Sequence, residues 1–121
     1  GDGKMLMGLG SLSTFGLQQP KNLAVVVLDN EHFGETGMQT THTAGSVNLA
    51  EIARASGISS SWTVRESSEI STTREKLLHE EGPLFCGIKV RAETLPLVLP
   101  PKEGEILQKR FRNALMNENG D

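Results

Sequence analysis

The run Leu23-Ala-Val-Val-Val-Leu28, followed at once by Asp29-Asn30, constrains the fold more than any other stretch of the chain. Unbroken aliphatic residues without alternation are what a strand buried on both faces of a parallel sheet requires. We expect a strand over Asn22–Asp29, covered on both sides. Upstream, Met5, Leu9, Leu12 and Gly16 recur at helical spacing over Lys4–Gln19, and Gln19-Pro20 ends the pattern. Gly8, Gly10 and Gly16 weaken this helix by up to about 1 kcal/mol each relative to Ala; their expected use is close packing on the sheet. The helix would carry the chain away from Asp2 by roughly 24 Å at about 1.5 Å per residue. The strand would return it by roughly 26 Å at about 3.3 Å per residue. The two legs nearly cancel, so Asp2 and Asn30 should meet on one rim.

That rim suits a phosphate group. The first N–H groups of a helix have no intrahelical acceptor, and the dipole there is positive. Gly1 and Gly3 allow close backbone approach. Asp2 and Asn30 offer hard oxygen ligands of the kind Mg²⁺ combines with phosphate oxygens and water. A dinucleotide fold is a rival reading of Gly1-x-Gly3 with Asp29 ending the next strand, but the third glycine of that fingerprint would fall on Leu6. An acidic turn before a helix and an Asx turn after a strand would also account for these residues without any ligand.

At Gly1-Asp2-Gly3 and Asp29-Asn30 the chain resembles the thiamine diphosphate-dependent enzymes, whose motif is Gly-Asp-Gly, about two dozen residues, then Asn-Asn or Asp-Asn. The resemblance implies a pyrophosphate-binding fold in which Asp2, Asn30 and the main-chain carbonyl of His32 ligate Mg²⁺. It implies cofactor contacts from Gly1, Asp2, Gly3, Lys4, Asn30, His32, Phe33 and Gly34, although an exposed lysine at a helix start is the commoner role for Lys4. Asp29 stands where the family usually has its first Asn, a position not expected to touch the metal. The segment Gly34-Glu-Thr-Gly-Met-Gln39-Thr-Thr41-His42-Thr43 is similar to the corresponding loop of sulfopyruvate and phosphonopyruvate decarboxylases, as is the tail from Leu97-Val-Leu-Pro100-Pro101 onward. By that likeness Gln39, Thr41 or His42 would meet the substrate; the alternative is that they only hold the loop to itself. The family places a further strand and helix before Gly-Asp-Gly and an activating glutamate on a separate pyrimidine-binding domain or subunit. We therefore expect an N-terminally truncated α/β domain and a homo- or hetero-oligomeric enzyme. The expected reaction is decarboxylation of a 2-oxo acid. Acetohydroxyacid synthesis, 2-oxo acid oxidation and a non-catalytic assembly or dinucleotide-binding subunit are the alternatives.

Downstream, helices and strands alternate, which favours a parallel sheet flanked by helices. Asn48 with Glu51 reads as a capping box, Leu49, Ile52 and Ala53 share a face, and Gly57 stops that helix. A strand is expected over Ile58–Arg65 with Trp62 in the core, a helix over Ser67–Glu80 with His79 solvated near its end, and a buried strand over Leu84–Val90 after Gly82-Pro83. Cys86 reads as packing. Residues 92–102, with Pro96, Pro100 and Pro101, form an extended arm whose leucines need cover. Residues 103–116 form an amphipathic helix with Leu107, Phe111, Ala114 and Leu115 on one face. Asn117–Asp121 is a polar end.

The 121 residues suffice for one core. A net charge of −3 gives no basic field for nucleic acid and would repel a diphosphate at long range, so binding must rest on local N–H groups and the metal. No apolar run approaches the roughly 20 residues that span a bilayer, and a membrane partner is not expected. The single cysteine fits a reducing, cytoplasmic setting.

Overall fold

A computed structural model describes residues 1–117; residues 118–121, most of the polar end, lie outside the described residues. Two short helices open the chain, α1 (Asp2–Met7) and α2 (Gly10–Gln18). Strand β1 (Ala24–Asp29) follows, then a two-stranded ribbon of β2 (His32–Phe33) and β3 (Gln39–Thr40), and a 3₁₀ turn at His42–Ala44. Helix α3 (Leu49–Ala55), strand β4 (Ser60–Val64), helix α4 (Ile70–His79) and strand β5 (Leu84–Lys89) complete the domain, and α5 (Gly104–Asn117) ends it. The strands β1, β5 and β4 pair in that order, all parallel, with Val25 opposite Phe85 and Asp29 opposite Lys89.

One face of the sheet holds the core. Leu12, Val27, Leu49, Ala50, Ala53, Ile58 and Phe85 form a single buried cluster, with Met5, Leu6, Leu9, Phe15, Val25 and Ile52 packed against it. Each large member contributes about 1.5–3 kcal/mol by leaving water. The periodic positions expected on the first helix and on α3 are among these residues, Gly16 excepted. The first helix, however, is broken: Gly8 caps α1 and α2 restarts at Gly10. Neither glycine packs on the sheet; a side chain at Gly10 would meet nothing within 4 Å. Gly16 is the tight position, because a Cβ there would strike the Ser56 carbonyl at the end of α3.

The opposite face is covered only in part. Trp62 faces α4, its Nε1 3.4 Å from Thr73 Oγ1 and its ring 5.3 Å below Lys76 Nζ, so it is half-buried under a helix rather than in the core. Cys86 beside it is fully buried. On β1 the burial alternates, and Val26 and Leu28 are 45% and 56% exposed, contrary to the doubly covered strand expected. An aliphatic run meets the needs of a covered strand, but it does not bring the cover. The arm supplies little: Leu95 lines a cleft with Leu28, but Leu97, Val98 and Leu99 are almost fully exposed, as is the Phe111 face of α5 to a lesser degree. At α3, Asn48 Oδ1 accepts from the Ala50 and Glu51 N–H groups, but Glu51 pairs with Arg54 and does not return the bond. The reciprocal box forms instead at Glu66 and Glu69, ahead of α4.

Candidate functional site

The C-terminal end of β1 and the start of α1 lie together, joined through the loop that follows the ribbon. Asp2 is buried, at 1% exposure, and its Oδ2 accepts from Thr41 Oγ1 at 2.5 Å and from Thr43 Oγ1 at 3.2 Å. Thr43 Oγ1 also lies 2.7 Å from Asp29 Oδ1, and the two threonine hydroxyls are 2.9 Å apart. Four oxygen–oxygen contacts are thus served by two hydroxyl protons. The shortest geometry spends one on Asp2 and the other on Asp29.

The two carboxylates are otherwise unlike. Asp29 is 6% exposed and its Oδ2 forms an ion pair with Lys89 Nζ at 2.9 Å. Register explains the pair, since Asp29 and Lys89 are opposite each other at the ends of neighbouring strands. Lys89 also reaches Glu31 Oε1 at 2.5 Å and the Thr43 carbonyl at 3.3 Å. Burial alone would lower the lysine's pKa, but the bonds to Glu31 and Asp29 outweigh it and hold the pKa above the usual value. Asp2, in contrast, meets no cation among the described residues. A buried, uncompensated carboxylate is costly, and a bound cation would remove that cost.

Most of the other residues expected at the rim share one cleft, whose walls do not include the buried Asp2 or His32. Gly1, Gly3, Lys4, Asn30, Phe33 and Gly34 line a cleft of about 580 Å³, shared with Leu28, Val90 and Leu95. A Cβ on Gly3 would come within 2.5 Å of the Phe33 ring, so glycine is what lets β2 lie against α1. Lys4 is exposed and bonds Glu35 at 3.1 Å across the cleft. Asn30 Oδ1 accepts from the His32 N–H at 3.1 Å, and His32 Nδ1 lies 2.9 Å from the Asn30 carbonyl, a compact Asx turn. The Phe33 carbonyl accepts from Met38 toward β3. Successive carbonyls along a strand point to opposite edges, so the His32 carbonyl faces away from β3.

Among the described residues no three His, Cys, Asp or Glu side chains gather to hold a metal. An Asp, an amide and a carbonyl are nonetheless a fitting set for Mg²⁺, which takes few protein ligands when phosphate oxygens complete its shell. The six residues of α1 leave its dipole a smaller part than a long helix would give. Of the three loop candidates, Thr41 is buried on Asp2, Gln39 is exposed with its amide on Thr36, and His42 is exposed. The roles of Glu31, Thr43 and Lys89 were not anticipated. Their signal was a lone lysine ending an apolar strand, at the position that pairs with the acid ending the neighbouring one.

The fold and site define a parallel α/β domain whose strand ends carry a polar rim. Residues 1–88 match the family described as thiamine pyrophosphate enzyme, C-terminal TPP binding domain, and the chain belongs to that family. It is 38% identical over 122 residues to the sulfopyruvate decarboxylase subunit beta of Methanocaldococcus jannaschii, covering 95% of this chain and 61% of that protein. It is 34% identical over 117 residues to the phosphonopyruvate decarboxylase of Streptomyces viridochromogenes, covering 93% of this chain and 28% of that one. The sulfopyruvate decarboxylase of Methanosarcina acetivorans is 29% identical over 117 residues, 95% of this chain and 30% of its own. The chain thus spans less than two thirds of the length of each of these relatives. No described helix is long and apolar enough to cross a membrane.

Proposed function

We propose that this chain is the Mg²⁺- and diphosphate-anchoring part of a thiamine diphosphate-dependent 2-oxo acid decarboxylase of the sulfopyruvate or phosphonopyruvate type. The observation that carries the reading is the buried Asp2 carboxylate, which lacks a cation among the described residues in a chain of a thiamine pyrophosphate family. Asp2, Asn30 and the His32 carbonyl would hold Mg²⁺, and residues 1–121 would form part of the pyrophosphate-binding domain. Gly1, exposed at the start of the first turn, leaves its backbone open to phosphate oxygens, and Phe33 packs on Gly3 in that turn. Lys4, on a long and exposed side chain, can exchange its Glu35 partner for a phosphate.

When bound, thiamine diphosphate supplies the nucleophilic carbon and the electron sink that loss of CO₂ requires. The work of this chain is to hold: fixing the diphosphate end restricts where the reactive end can lie. The activating glutamate is to come from a pyrimidine-binding domain or subunit, so the 121 residues alone should be inactive and the complete enzyme at least dimeric. Gln39 and His42, exposed on the loop beyond the cleft, are the residues left to meet the substrate. The free, buried Cys86 accords with a cytoplasmic setting.

The test is product analysis on the complete enzyme with sulfopyruvate and with phosphonopyruvate. We expect CO₂ and the corresponding aldehyde from one of them, with Mg²⁺ and thiamine diphosphate and no electron acceptor. A requirement for an acceptor or a second oxo acid would assign the chain to an oxidoreductase or a synthase instead. Failure to bind the cofactor at all would leave a non-catalytic subunit.

A further inference from the structure

Resting on the Mg²⁺ reading above, we propose that Lys89 is a positioning residue for the cation site, acting through Glu31. Glu31 sits between Asn30 and His32, the two ligand positions of the loop, and its backbone is left-handed at φ +61°. A residue with a long side chain does not rest there without support. Its carboxylate is held by Lys89 at 2.5 Å, and Lys89 stands on β5, the strand paired on both sides. The same ammonium bonds Asp29, the residue before Asn30, at 2.9 Å. It also bonds the carbonyl of Thr43 at 3.3 Å, and the Thr43 hydroxyl lies 3.2 Å from the Asp2 carboxylate.

An ammonium has three N–H donors. Asp29, Glu31 and Thr43 use all three, so Lys89 has none to spare for a ligand, although it lines a polar cavity of about 230 Å³ beside Arg65. Its effect on a bound group must pass through the segments it joins. Those segments carry Asn30 and the His32 carbonyl, and Thr43 in turn lies against Asp2. Partners of this indirect kind typically change metal affinity about 10–100-fold when lost.

The experiment is a Mg²⁺ titration of thiamine diphosphate binding to the complete enzyme, read by calorimetry. Lys89→Met is expected to raise the Mg²⁺ concentration for half-saturation at least tenfold. Glu31→Asn removes the carboxylate and suits a left-handed backbone; in that background Lys89→Met should add less than threefold. Equal effects in both backgrounds, or no effect in the parent, would overturn the clamp. Glu31→Gln, at a half-exposed side chain, covers the case in which Lys89→Met does not fold: it should raise the Mg²⁺ requirement threefold or more, and no change would count against the clamp. Asp2→Asn separates the two ideas. Loss of Mg²⁺ dependence in Asp2→Asn beside unchanged Lys89 and Glu31 variants removes only the clamp, whereas unchanged Mg²⁺ dependence in Asp2→Asn removes the metal reading itself.

Discussion

Two buried aspartates, touching the same threonine, are treated in opposite ways by this fold. Asp29 ends the edge strand β1, and a lysine on the next strand balances its charge. Asp2 opens a helix, is buried more deeply, and lies against two hydroxyls and no positive group among the described residues. A hydroxyl satisfies a lone pair but leaves the charge in place. The contrast teaches that burial of an acid says little by itself. The partner decides whether the acid is structural, as at Asp29, or waits for a cation, as proposed at Asp2.

Substitution at each should therefore have different consequences. Asp2→Asn is expected to weaken Mg²⁺-dependent cofactor binding by 100-fold or more, on the order of what an outer-shell change costs at its upper limit. It should leave the melting temperature of the cofactor-free protein unchanged or raised, because an uncompensated buried charge is removed. Asp29→Asn should do the reverse. It should lower stability by about 1–3 kcal/mol, the cost of an unmade buried bond, and shift Mg²⁺ affinity less than tenfold. Equal responses of the two variants in both calorimetry and thermal melts would erase the distinction.

A smaller effect follows from pH. Lys89 has its pKa raised by Glu31 and Asp29 against the contrary effect of burial. A raised folded-state pKa on a lysine gives stability that is fully present below the unfolded value, about 10.4, and is lost as pH rises through the folded value. Denaturant midpoints should therefore fall above about pH 10.4 in the parent protein and fall less in Lys89→Met. A parallel fall in both would mean that another group governs the alkaline limb. Cys86 belongs in that comparison, since burial first and the Glu69 charge second push its thiol up to about 11. Its contribution also declines with pH once the unfolded thiol ionises, at about 8.5, so both curves should begin to slope there.

Much of the architecture could be read from local chemistry. The Leu23–Leu28 run marked β1, Gln19-Pro20 ended the helix before it, Asn48 capped α3, and Gly57, at φ +100°, stopped it. What failed depended on neighbours far away in sequence. Whether Val26 and Leu28 are covered depends on what lies over that face, which no property of the run encodes. The break at Gly8 and Gly10 was visible as weakness, but its position follows from how α1 meets β1 and α2 meets α3. At the site, Asp2 and Asn30 stood out by residue type. The Asp29–Lys89 pair did not, because it exists only in the register that aligns the ends of β1 and β5. Nor could the bond from Thr41 to Asp2 be read in advance, because a loop threonine looks alike in sequence whatever its hydroxyl meets.

The most direct measurement is diffraction from the complete enzyme with thiamine diphosphate and Mn²⁺ in place of Mg²⁺, located by its anomalous signal. The account predicts one strong peak at about the 2.0–2.2 Å expected for a hard cation of this size from a carboxylate oxygen of Asp2, with Asn30 Oδ1 and the His32 carbonyl completing the protein's share. A metal bound elsewhere, with Asp2 still held only by Thr41 and Thr43, would contradict it.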